Sequence, residues 1–177
     1  MNTYIALFRG INVGGKNTLP MKALVETLET MGYRNIKTYI QSGNAVFKST
    51  KQQKQKIVRE ISLSVLDRYG FQPNVILLNA SDFQLAIKNN PFSTRDGKSL
   101  HFYFLESVPK QPALEQLTSA KSTSEKFQLD DRVFYLYAPN GIGRSKLAAN
   151  VERALGVSVT ARNWNTVNKL NAMISQE

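Results

Sequence analysis

At 177 residues, with no cysteine and a formal net charge of +10, the chain is long enough to bury about 70% of its unfolded surface without a covalent staple. The missing thiols exclude disulfides, thiolate metal sites, cysteine nucleophiles and thiol redox sensing. No apolar run approaches a membrane span and the first residues pass into a strand without a basic leader, so a cytoplasmic protein with no membrane partner is expected.

In chain order, residues 4–8 alternate and are rich in aromatic and branched types, which predicts a strand. Pro20 suits the first turn of a helix, with Asn17 or Thr18 as its cap. That helix runs over 21–31, with Leu24, Val25, Leu28 and Met31 at helical spacing and Gly32 as its stop. Strands over 36–40 and 45–47 flank a tight turn, Gln41-Ser42-Gly43-Asn44. A helix over 51–69 carries Ile57, Ile61 and Val65 on one stripe and ends at Gly70, and a strand over 75–78 completes the order βαββαβ.

After a short capped helix over 81–90 the plan restarts. A strand over 100–105 is followed by a helix over 112–120, two strands over 126–129 and 133–137 turned at Asp130-Asp131, and a helix over 144–155 closed by Gly156. Residues 157–175 read as an extended piece and a last helix. Two copies of one βαββα plan account for this length: an α+β protein of two tandem ferredoxin-like (α/β-plait) units, 1–80 and 81–177, each with helices packed on one face of an antiparallel sheet.

The stretch between the first strand and helix, Arg9-Gly10-Ile11-Asn12-Val13-Gly14-Gly15-Lys16-Asn17, carries the strongest ligand signal. Gly14 and Gly15 permit positive φ, so consecutive N–H groups can converge near a helix start that carries partial positive charge. Lys16 adds a point charge and Arg9 a planar fork for a phosphate or carboxylate. The spacing matches neither the P-loop nor the dinucleotide fingerprint. A glycine-rich turn with solvated charges is the competing reading.

Other polar groups carry paired readings too. Gln41 and Asn44 sit at a hairpin tip and either read a ligand through their amides or serve the turn. Arg144, after Gly141 and Gly143, repeats the anion logic at a helix start that is equally a plain cap. Arg162, Asn163 and Trp164 offer an aromatic plane between a guanidinium and an amide, suited to stacking on a base, or else to sealing the core and capping the last helix. His101 is the sole histidine and the obvious acid-base group, and without an acidic neighbour in sequence it reads first as structural. The polar blocks contain no Asp, Glu or His, so no metal and no cofactor is expected; distant carboxylates such as Glu26, Glu29, Asp82, Asp96 and Glu106 would have to be gathered by folding.

Four blocks taken together resemble a known family. They are Tyr4-Ile5-Ala6-Leu7-Phe8-Arg9-Gly10-Ile11-Asn12-Val13-Gly14-Gly15, Thr38-Tyr39-Ile40-Gln41-Ser42-Gly43-Asn44, Pro139-Asn140-Gly141-Ile142-Gly143-Arg144-Ser145-Lys146-Leu147 and Thr160-Ala161-Arg162-Asn163-Trp164-Asn165-Thr166. In this order, over nearly the whole chain, they resemble the bacterial "domain of unknown function 1697" family. The resemblance implies two α/β-plait domains in tandem and carries no established activity, so no catalytic residue follows from it.

Charge sharpens the partner classes. Residues 1–90 hold twelve Lys and Arg against five acids, and residues 91–177 eleven against eight. Such a balance favours anionic partners and equally serves solubility. Three functions stand: binding of a phosphate-bearing small molecule or nucleotide through Arg9, Lys16 and backbone N–H groups; nucleic-acid binding through the sheet face or the basic helix around Lys51, Lys54, Lys56 and Arg59; and an enzyme on a small anionic substrate with His101 as base. Sequence fixes neither catalysis nor oligomeric state.

Overall fold

The computed structural model describes residues 1–175. Its elements are β1 (Asn2–Arg9), α1 (Met21–Thr30), β2 (Arg34–Tyr39), β3 (Asn44–Ser49), α2 (Lys54–Tyr69), β4 (Asn74–Asn79), α3 (Ala80–Lys88), β5 (Leu100–Leu105), α4 (Leu114–Ala120), β6 (Lys126–Asp130), β7 (Val133–Tyr137), α5 (Lys146–Leu155), β8 (Val159–Asn163) and α6 (Trp164–Ser175). The protein is therefore α+β, with two four-stranded antiparallel sheets ordered β2-β3-β1-β4 and β6-β7-β5-β8.

Spacing and caps explain most boundaries. α2 lays Ile57, Ile61 and Val65, all fully buried, into a cluster with Tyr4, Ala6, Phe8, Leu24 and Leu28, each aliphatic side chain contributing about 2 kcal/mol of burial. Gly70 then closes it at φ 77, its N–H donating to the Leu66 carbonyl at 2.9 Å. α3 starts at Ala80 because the Asn79 Oδ1 accepts from the Asp82 N–H at 2.7 Å. α5 starts at Lys146, not at 144, because the Ser145 hydroxyl accepts from the Ala148 N–H at 3.0 Å and caps it.

α1 departs from the expected capping. Pro20 itself stands at the cap position and no side chain caps the helix. Asn17 is engaged elsewhere, donating its amide to the Gly10 carbonyl at 2.9 Å.

Burial is not confined to the face of each sheet that meets these helices. Tyr4, Ala6 and Phe8 face the cluster shared with α1 and α2, yet Ile5 and Leu7, which alternation turns the other way, are fully buried as well. All six residues of β5 are buried. Tyr103 and Leu105 join Leu117, Leu147 and Val151, while the Phe102 ring meets Tyr135 edge-on at 5.0 Å and lies 5.8 Å from Trp164. A central strand covered on both sides reads as a continuous apolar run, and β1 and β5 both do.

The β2 edge carries a register shift between Arg34 and Lys37, with Asn35 at φ 52. Such a bulge, flanked by two cations, discourages pairing with another strand. By internal contacts the chain divides into Met1–Leu85 together with the chain from Lys169 onward, and Ala86–Asn168.

Candidate functional site

Between β1 and α1 the glycines do not form a cradle behind the helix end. They make the tip of a small hairpin. The Lys16 N–H donates to the Val13 carbonyl at 3.0 Å, and the Asn12 N–H to the Asn17 carbonyl at 3.1 Å. Gly14 and Gly15 take φ 57 and 73, the double positive φ of a type I′ turn. A Cβ at either would meet nothing within 4 Å, so glycine is required here by backbone angle alone.

One side chain ties this hairpin to the turn between β2 and β3. The Asn12 Nδ2 donates to the Leu19 carbonyl at 2.8 Å and to the Gln41 carbonyl at 2.9 Å, while its Oδ1 accepts from the Leu19 N–H at 2.7 Å. The turn is anchored from the other side by the Phe8 N–H, which donates to the Gly43 carbonyl at 2.8 Å. Asn44 is fully buried, and its Nδ2 donates to the Tyr39 carbonyl at 2.8 Å and to the Ser42 hydroxyl at 3.3 Å.

The sequence candidates thus separate by role. Asn12, Asn17 and Asn44 hold backbone; Gly14 and Gly15 form the hairpin tip; Arg9, Lys16 and Gln41 are exposed along the edge these loops build. Two neighbours were not signalled by any motif. Val13 is 66% exposed and Ile40 47% exposed, each one residue from the Asn12–Gln41 hydrogen bond. Ile40 also sits at φ 48, a conformation that a β-branched residue rarely adopts. The only hint of it in sequence is its place directly before a Gln-Ser-Gly turn, where strand alternation must stop.

The second-half candidates have structural duties. Arg144 is exposed and precedes a helix already capped by Ser145. Arg162 donates from Nη1 to the Ala161 carbonyl at 2.8 Å, and burial lowers its guanidinium to about 10. The Asn163 Oδ1 accepts from the Thr166 N–H at 3.0 Å and caps α6, while Trp164 is half-buried against Phe102. None of these is placed as an open stacking platform.

His101 lies in the interior, 8% exposed, and its Nδ1 has no hydrogen-bond partner among the described residues. Burial holds its pKa below 6.5, opposed in part by the Ser99 backbone. A general base must reach the proton it takes, and this imidazole is closed off. The unfolded chain therefore takes up the proton before the folded one does. Stability from the neutral ring is fully present above about pH 6.5 and is lost as the pH falls through the lower folded value. Urea midpoints measured from pH 7.5 to 5 should fall more steeply for the native chain than for His101→Gln; parallel profiles would refute the assignment.

Charged groups elsewhere are partly neutralised. Lys51 pairs with Glu60 at 2.5 Å and Lys54 with Asp82 at 2.9 Å, leaving Lys56 and Arg59 as the exposed cations of the basic helix region. Asp96 accepts from the Ser99 hydroxyl and the Lys98 N–H, which lowers its pKa. Among the described residues no three His, Asp or Glu side chains converge on a metal-sized site, and no helix is long and apolar enough to cross a membrane.

The model of the family described as "Protein of unknown function (DUF1697)" matches residues 1–135. The chain belongs to the DUF1697 family. The matched span includes the two loops that Asn12 joins and ends before the blocks at 139–147 and 160–166. Among solved structures, the conserved bacterial protein SP0830 from Streptococcus pneumoniae resembles this DUF1697 chain with a TM-score of 0.74 and 25% identity, over 98% of each chain. That likeness extends past the family match through the rest of the chain. No functionally curated protein matches it.

Proposed function

We propose that this DUF1697 protein binds a phosphate-bearing small molecule at the edge formed by loop 10–19 and turn 40–43, with Arg9 and Lys16 as the cations and Gln41 as an orienting amide. One observation carries the reading. Of thirteen described residues with positive φ, seven (Gly10, Asn12, Gly14, Gly15, Asn17, Ile40 and Gly43) lie in these two loops. Left-handed backbone at non-glycine positions persists only where the surroundings over-determine it, and it gathers at ligand clamps. Here the over-determination is visible in the three hydrogen bonds of Asn12. The result is a fixed platform with two exposed cations on it, and a site fixed before binding loses less ordering entropy when occupied.

Each unit is, on this proposal, a ferredoxin-like plait. The support is the shared order of strands, in which the first strand of each unit lies between the third and fourth. Nucleic-acid readers of that fold stack bases on sheet aromatics, but Phe102, Phe104 and Tyr135 are buried here. That favours a compact ligand over a strand of RNA.

The test is thermal shift of the full chain with sugar phosphates, nucleotides and a short single-stranded RNA, at low and physiological salt. A small phosphate ligand should raise the melting temperature at both salts, and Arg9→Ala with Lys16→Ala should weaken it by about a hundredfold, roughly 1.4 kcal/mol for each cation. A response to RNA alone, abolished by salt, would replace this reading with polyanion binding.

A further inference from the structure

We infer that Ile40 is a ligand-contact residue and that the ligand is a nucleotide, whose base packs on Ile40 while its phosphate lies on the cations. This rests on the phosphate-site reading above and deepens it.

Ile40 is not one of the buried core residues. It is 47% exposed, so about half of its surface stays in water. Its φ of 48 suits Gly or Asn, whereas a β-branched side chain is strained there. For folding alone, Asn at this position would relieve strain and remove apolar surface from water. Ile is therefore explained by something outside the chain.

The neighbourhood indicates what that is. Gln41, next in sequence, holds loop 10–19 through its carbonyl, while its side chain is exposed and makes no hydrogen bond among the described residues. An amide offers both a donor and an acceptor, as the edge of a base does. Val13, on the other side of the Asn12–Gln41 bond, is the second exposed apolar group, and Lys16 closes the same hairpin. An aliphatic contact, an amide and a cation on one rigid edge match a flat heterocycle joined to a phosphate better than they match inorganic phosphate or a sugar phosphate, for which the apolar groups have no use.

Titration calorimetry of the full chain with AMP, UMP, ribose 5-phosphate and inorganic phosphate tests this, using the native chain, Lys16→Ala and Ile40→Asn. At least one nucleotide should bind about tenfold tighter than ribose 5-phosphate. Ile40→Asn should erase that margin, leave ribose 5-phosphate binding unchanged and melt at or above the native temperature, by roughly 2 °C. If sugar phosphate and nucleotides bind alike, both depend on Lys16 and Ile40→Asn changes nothing, the nucleotide inference fails and the phosphate site survives. If none of the four probes binds, or Lys16→Ala has no effect, both fail. A lower melting temperature for both Ile40→Asn and Ile40→Gly would show a folding role for Ile40, and a changed oligomeric state without changed binding would show a self-contact; either result overturns the inference.

Discussion

Replacing Gly43 with Ala is expected to lower the stability of the chain by about 4 kcal/mol, from strain and overpacking together, and its melting temperature by roughly 10 °C. Two independent effects coincide there. The backbone is at φ 89, where any side chain is strained by about 1 to 2 kcal/mol. The new Cβ would also lie 2.5 Å from the Ile11 Cδ1 and 2.6 Å from the Phe8 Cβ. Phe8 and Ile11 are essentially fully buried, so neither retreats cheaply, and overpacking of this kind adds a further 1 to 3 kcal/mol or so. Gly15→Ala is the control: its φ of 73 is similar but a Cβ there meets nothing within 4 Å, so it should lose only about 1 to 2 kcal/mol. Equal losses in chemical denaturation would mean that the contact with Phe8 and Ile11 contributes nothing.

The second large effect is expected at Asn12. Asn12→Ala removes three hydrogen bonds, at about 1 kcal/mol each, and places an alanine at φ 54, for a total of roughly 4 to 5 kcal/mol. Asn12→Gly should recover the backbone part and none of the bonding part. Hydrogen exchange gives the local readout. The Leu19 N–H, buried and bonded to the Asn12 Oδ1 at 2.7 Å, should lose protection in both variants, and unchanged protection would refute the role given to that side chain. Because the same amide holds the Gln41 carbonyl, affinity at the proposed phosphate site should fall in both variants although neither substitution touches a cation.

How far the sequence led depends on the range of the forces involved. The apolar stripe Ile57, Ile61, Val65 with Gly70 behind it defines α2 almost to the residue at its C-terminal end, because spacing and capping are local properties. β5 and β7 appear at the bounds that alternation gives. The family likewise follows from contiguous blocks.

Loop 10–19 shows where local signals compete. A Gly-Gly pair favours both an anion-binding nest and a type I′ tip, and the choice was made by the Asn12 side chain, whose partners Leu19 and Gln41 are seven and twenty-nine residues away. The burial of Ile5 and Leu7, and of Phe102 and Phe104 in the second sheet, depends on what covers the second face of each sheet, which no periodicity within a strand encodes. Ile40 is a different case. Its strain follows from the register of a turn, and its exposure becomes informative only once that strain is known.

The last helix gives the chain an order of events. α6 opens at Trp164 in the second unit, but from Lys169 onward it is grouped with the first. There Leu170, Met173 and Ile174 are buried and the Lys37 ammonium donates to the Met173 carbonyl at 3.5 Å. During synthesis the opening eighty-five residues leave the ribosome without the piece that completes them, and wait for the whole second unit to be translated. A truncation that removes the chain from Lys169 onward would accordingly damage the half of the protein that was made first.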